Sequence, residues 1–281
     1  MTKQELISLF EHVRYQIVVF PKGTASPLPE SVGSGFMLDY KGRTFFVTAD
    51  HVVNTHDNGV RKIKDCTITI STNIPALIGG KLCTMMIPIG GFYSFYQFKV
   101  DINNGSIGNM PLFDAAFSIL DDWQIKKVCI TCEVKVEGAD VPIGDSKIHL
   151  KEENIIEANN SDIYSVFGRV RFALQKVGDN EILVSQQTFK TNLKLVGEDS
   201  TQNYYILQSP NPVVYEDWAG LSGSAVLNQD GKLIGVACAV DTSGSRFVYV
   251  KKIRRVLSLM DGAMQTEQIN DSSTEEYTRE Y

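Results

Sequence analysis

Long apolar runs are missing from this chain. No stretch approaches the roughly 18 apolar residues that a membrane span requires. The opening Met1-Thr2-Lys3-Gln4-Glu5 does not lead into the apolar core of a secretory signal. The expectation is a protein that does not engage a membrane. Cysteine is scarce as well, with five residues at 66, 83, 129, 132 and 238 in a chain of 281. An odd count in a chain of this size does not make a disulfide framework, and a reducing cytoplasm fits it. Cys129 and Cys132 have CxxC spacing, but no second Cys or His pair stands near them. Packing inside an apolar strand is the better reading, and no metal or organic cofactor is implied. A basic excess is missing too. The net charge is −6, of which −5 belongs to residues 261–281, so the body of the chain is close to neutral. Nothing here makes the basic face that a nucleic acid would need.

What is present is a chain of short β-rich runs. Thr2-x-x-Glu5 reads as a helix capping box, followed by Leu6, Ile7, Phe10 and Val13 at helical spacing. A short amphipathic helix is expected over 3–12. Strands follow at Tyr15–Phe20, Gly33–Leu38 and Thr44–Thr48, with a hairpin turn at Asp39-Tyr40-Lys41-Gly42. Further strands are expected over Cys66–Ser71, Lys81–Ile87, Phe92–Val100, Met110–Leu120 and Val128–Val136. Many short strands with turn punctuation suggest closed antiparallel barrels. Residues 137–162 read as a polar connector. The later runs are Ile163–Phe172, a hairpin over Leu174–Phe189, Asn203–Gln208, Ala225–Leu227, Leu233–Val240 and Arg246–Val250. A closing helix is expected over 251–260, and residues 261–281 hold too few apolar groups to fold.

Three stretches carry chemistry. Gly220-Leu221-Ser222-Gly223 places a serine between glycines, as a nucleophile on a tight turn requires. Successive backbone N–H groups in such a turn, those of Gly220 and Ser222, can bind a developing oxyanion. Thr48-Ala49-Asp50-His51 ends an apolar strand on a histidine. Leu112-Phe113-Asp114-Ala115-Ala116-Phe117 sets one aspartate in an apolar run, where a charge must be paired. A serine hydroxyl needs a base within reach, and the base needs an acceptor on its other ring nitrogen. Only four histidines exist: His12 is on the first helix, His56 in a turn and His149 in the connector. His51 is therefore the candidate base and Asp114 its partner. Asp50 should point away, and Ser224 is the second-choice nucleophile.

The order His51, Asp114, Ser222 and the motifs around them resemble the trypsin/chymotrypsin-like serine peptidases, closest to their prokaryotic, disulfide-free branch. The resemblance spans roughly residues 14 to 260. It implies an all-β fold of two six-stranded antiparallel β-barrels with short N- and C-terminal helices. On that frame 1–13 is the N-terminal helix and 14–125 the barrel carrying His51 and Asp114. Residues 126–260 form the barrel carrying Ser222 and the closing helix, and 261–281 a disordered acidic tail. The resemblance also implies a serine endopeptidase acting on a protein or peptide through an acyl-enzyme, with Ser222, His51 and Asp114 as the triad. Leu221, Ser224 and Ala225 depart from the animal enzymes, and Leu221 removes their zymogen switch. By the same alignment Glu216 stands at the base of a specificity pocket, with Ala237, Cys238 and Ala239 on its wall. The alternative is a catalytically silent or partner-activated peptidase-fold binding module. The N-terminal helix or the acidic tail would then dock a regulatory protein.

Overall fold

The runs Ile17-Val18-Val19-Phe20 and Phe45-Phe46-Val47 have no polar alternate residues, so strands made from them must be covered on both faces. The computed structural model describes residues 1–22, 28–54, 56–57, 60–61, 66–78, 81–96, 100–101, 106–107, 112–122, 124–125, 147–177, 179–241 and 243–278. In it, β1 (Arg14–Pro21), β2 (Ser31–Tyr40) and β3 (Arg43–Thr48) are buried through their central runs. Lys41 and Gly42 both take positive φ, 47° and 76°, which closes the β2–β3 hairpin as expected.

The first half continues with β4 (Cys66–Ile78), β5 (Lys81–Pro88), β6 (Phe92–Tyr96) and β7 (Leu112–Leu120). Its strand order is β5-β4-β1-β2-β3-β7-β6. Every pairing along that path is antiparallel. The short strand Leu150–Lys151 adds to β2 in parallel. The second half is built from β8 (Tyr164–Val177), β9 (Asn180–Asp199), β10 (Tyr204–Gln208), β11 (Ala225–Asn228), β12 (Leu233–Val240) and β13 (Phe247–Lys252). It closes as a barrel in the order β8-β9-β10-β13-β12-β11.

The all-β, double-sheet architecture with helices at both ends is the one that the resemblance implies. Two details differ from it. The first half has seven strands along its path instead of six, and among the described residues only the second half closes. The hairpin β8–β9 is also longer than the expected Leu174–Phe189, because its pairing runs out from the turn as far as Tyr164 and Leu193. The expected strand Val128–Val136, with Cys129 and Cys132, lies outside the described residues.

α1 (Lys3–Val13) carries the expected capping box: Glu5 N donates to Thr2 Oγ1 and Thr2 N to Glu5 Oε2. It buries Leu6, Phe10 and Val13, and Phe10 stacks on Phe167 of the second half at 6.0 Å. Met1 and Leu9 lie over the turn at Gly231, and the Met1 amino group is 3.9 Å from Asp230. At the other end, α3 (Ile253–Thr278) corrects the expectation of a disordered tail from residue 261. It returns to the first half. Asp261 accepts from Tyr40 Oη and Lys41 Nζ, Glu267 accepts from Arg43 and Tyr93, and Ala263 is buried. One apolar core runs through both halves, joining Phe36, Phe45 and Phe117 to Phe167, Leu227, Leu233 and Val236. A second fills the closed barrel around Tyr164, Leu207 and Ile234.

Candidate active site

β3 ends at Thr48, and one helical turn follows, α2 (Asp50–Val53). Asp50, Val52 and Val53 are buried beneath it, which leaves His51 as the member facing outward. Its side chain is 46 % exposed. The register of β7 against β6 slips between Phe113 and Ala116, a bulge that sets Asp114 beside α2. There one carboxylate oxygen, Oδ1, accepts both His51 N–H groups, the ring Nδ1 at 2.8 Å and the backbone N at 3.3 Å. An ionised carboxylate can only accept, so Nδ1 holds the proton and Nε2 is left as the base.

The electrostatics agree with that assignment. Burial pushes the His51 pKa down, but the hydrogen bond and charge of Asp114 outweigh it and hold the imidazole above its ordinary value. Burial raises the Asp114 carboxyl, and the His51 contacts, with a smaller pull from Lys251, bring it below its ordinary value. Lys251 is a buried ammonium. It donates to the Gln202 carbonyl at 2.7 Å and lies over the rings of Tyr204 and Phe113. The Cys238 thiol, raised by burial and so protonated, donates to the Asp114 carbonyl at 2.8 Å.

Ser222 comes from the turn between the 3-10 segment Tyr215–Asp217 and β11. Gly220 has φ +104° and Gly223 φ +88°. A Cβ on Gly220 would fall 2.4 Å from the Arg169 carbonyl, and one on Gly223 only 1.9 Å from that of Ser34. Glycine is therefore required at both positions. The backbone N–H groups of Gly220 and Ser222 make no hydrogen bond among the described residues. The Ser222 hydroxyl donates to the Cys238 carbonyl at 3.2 Å, and no hydrogen bond joins it to His51. Ser224 is buried with its hydroxyl on the Phe167 carbonyl, which removes it as the alternative nucleophile.

A cleft of about 1230 Å³ gathers these groups. His51, Asp114, Gly220 and Ser222 all line it, as do Glu216, Ala237, Cys238 and Ala239. Glu216 is exposed on its 3-10 turn, whereas Ala237 and Cys238 are buried. The sequence reading missed Arg171 and Phe172, which border the cleft from a bulge in β8. Arg171 has φ +54° and gives two guanidinium hydrogen bonds to Asp217. It also missed Lys251 and Ser34. The Gly-Ser-Gly run 33–35 was a visible signal for a close backbone approach, but not for its partner.

No family model matches this chain, and no curated protein matches it. Among solved structures it is similar to the serine endoprotease from Yersinia pestis. The TM-score is 0.46 at 12 % identity, over 94 % of this chain and 67 % of that one.

Proposed function

We propose that this chain is a serine endopeptidase, with Ser222 as nucleophile, His51 as general base and Asp114 holding the imidazole. The observation that carries the reading is the shared cleft. Among the described residues, a histidine with its acceptor nitrogen unengaged and a serine beside two backbone N–H groups without partners line one cavity. Ser222 attacks the peptide carbonyl while His51 Nε2 takes the hydroxyl proton. The Gly220 and Ser222 amides receive the oxyanion. His51 returns the proton to the leaving amine, and water repeats the sequence on the acyl-enzyme. No step calls for a metal, and the described residues hold no cluster of three or more metal-ligating side chains. The site of action we propose is the cytoplasm. No helix among the described residues is long and apolar enough to cross a membrane.

A second reading has one observation in its favour. The Ser222 hydroxyl is engaged with Cys238 and not with His51, the arrangement of a resting or silent site. It would suit a binding module, or an enzyme switched on by a partner at α1 or at the C-terminal helix.

Fluorophosphonate labelling followed by intact mass separates the two. The peptidase reading expects a single adduct on the wild type and none on Ser222→Ala, with peptide hydrolysis reduced by roughly four to six orders of magnitude in the variant. An unlabelled wild type supports the silent module. Labelling of both proteins places the reactive serine elsewhere.

A further inference from the structure

We infer that Ser34, on β2 of the first half, is the positioning residue that holds the anion-binding turn of the second half. Ser34 is fully buried. Its hydroxyl donates to the Gly220 carbonyl at 2.9 Å, and its backbone N–H donates to the Ser222 carbonyl at 2.8 Å. Its own carbonyl accepts from Thr48 Oγ1 at 2.8 Å, which ties the clamp to the strand leading to His51.

The consequence follows peptide by peptide. In the unit joining Gly220 to Leu221, the carbonyl is held by Ser34 Oγ and the N–H by the Trp218 carbonyl at 2.9 Å. In the unit joining Ser222 to Gly223, the carbonyl is held by Ser34 N and the N–H by the Ala237 carbonyl at 2.7 Å. Alternate peptides are thus fixed at both ends. The N–H groups of the units that precede each of them belong to Gly220 and Ser222, the two left without partners among the described residues. Ser34 anchors both fixed units, and only one of its two bonds uses a side chain. Glycine at 220 and 223 permits the close approach but also leaves the turn soft, so an external clamp has something to restrain.

As a statement about catalysis this rests on the peptidase reading; as a statement about the turn it does not. The test compares wild type with Ser34→Ala, a change that removes one oxygen and adds no bulk. The variant is expected to react with fluorophosphonate, and to turn over peptide, about 10- to 100-fold more slowly, approaching the effect of losing one oxyanion donor. KM and the acid limb of the pH profile, which belong to substrate binding and to His51–Asp114, should stay in place. Amide exchange at Leu221 should quicken, since its peptide has lost one of two restraints. Wild-type reactivity together with unchanged Leu221 exchange overturns the clamp. A loss of KM and kcat together with a shifted acid limb overturns it too, as general damage. If wild-type Ser222 is itself inert, the peptidase reading falls, and the Leu221 amide alone decides for or against the clamp.

Discussion

The Asp114 carboxylate spends one oxygen on two N–H groups of the same histidine, and this sets how the site responds to pH. Raised His51 and lowered Asp114 stabilise the ionised pair together. The histidine contribution is complete below its unfolded value of 6.5 and is lost as pH rises through the higher folded value. The aspartate contribution is present above 3.8 and is lost as pH falls through the lower folded value. The pair therefore contributes most between 3.8 and 6.5, and its contribution fades beyond either value. On the proposed peptidase mechanism the base is neutral His51, so kcat/KM should fall on the acid side with a midpoint above 6.5. In Asp114→Asn the charge that raises His51 is gone. The limb should move to lower pH while Asp50 and Lys251 remain, and kcat should drop by roughly four orders of magnitude. A pH–rate profile of both proteins checks this, and an unmoved limb would remove Asp114 from its role. At this scale the sequence was informative where chemistry is local. His51, Asp114 and Ser222 announce themselves by their neighbours. Ser34 and Lys251 do not, because their partners lie 186 and 49 residues away in the chain.

Elements were legible where their own pattern stabilises them. The capping box and apolar spacing of α1 sufficed, and so did the hairpin residues Lys41 and Gly42. α3 was misjudged beyond residue 260 because its continuation has few apolar residues. Its first part is fixed by contacts with a distant strand pair, through Asp261, Ala263 and Glu267. Those contacts are partly exposed, so the ion pairs contribute little, and the buried apolar residues carry the rest. Truncation after Met260 should lower the melting temperature by several degrees, on the order of 1–3 kcal/mol. Truncation after Glu267 should leave it within about one degree. Thermal melts of the two chains give the answer, and equal melting temperatures would mean that 261–267 do not hold the helix down. The same pair of truncations locates a regulatory partner, if one binds the acidic end.

At the scale of the whole molecule the two halves are not independent. Phe10, Phe36, Phe117, Phe167 and Val236 belong to a single core, and the turn carrying Ser222 is held from across the boundary. Heat unfolding followed by calorimetry should therefore show one cooperative transition. Two resolved peaks, with the closed barrel melting on its own, would contradict a shared core. The division into a His/Asp half and a Ser half was readable from motif order. The crossing of the helices was not, since nothing in a helix's own residues names the surface it will cover.

That crossing has a consequence for how the molecule tolerates being cut. Each terminal helix is fastened to the half it does not belong to. α1 leads into the first sheet but seats Phe10 and Met1 on the second, while α3 leaves the second and grips Tyr40, Arg43 and Tyr93 of the first. The halves are thus laced to each other twice, once from each terminal helix. A nick between residues 126 and 146 would leave two pieces, each still holding a handle on the other. The two laces act together as a bivalent grip, and they decide the fit.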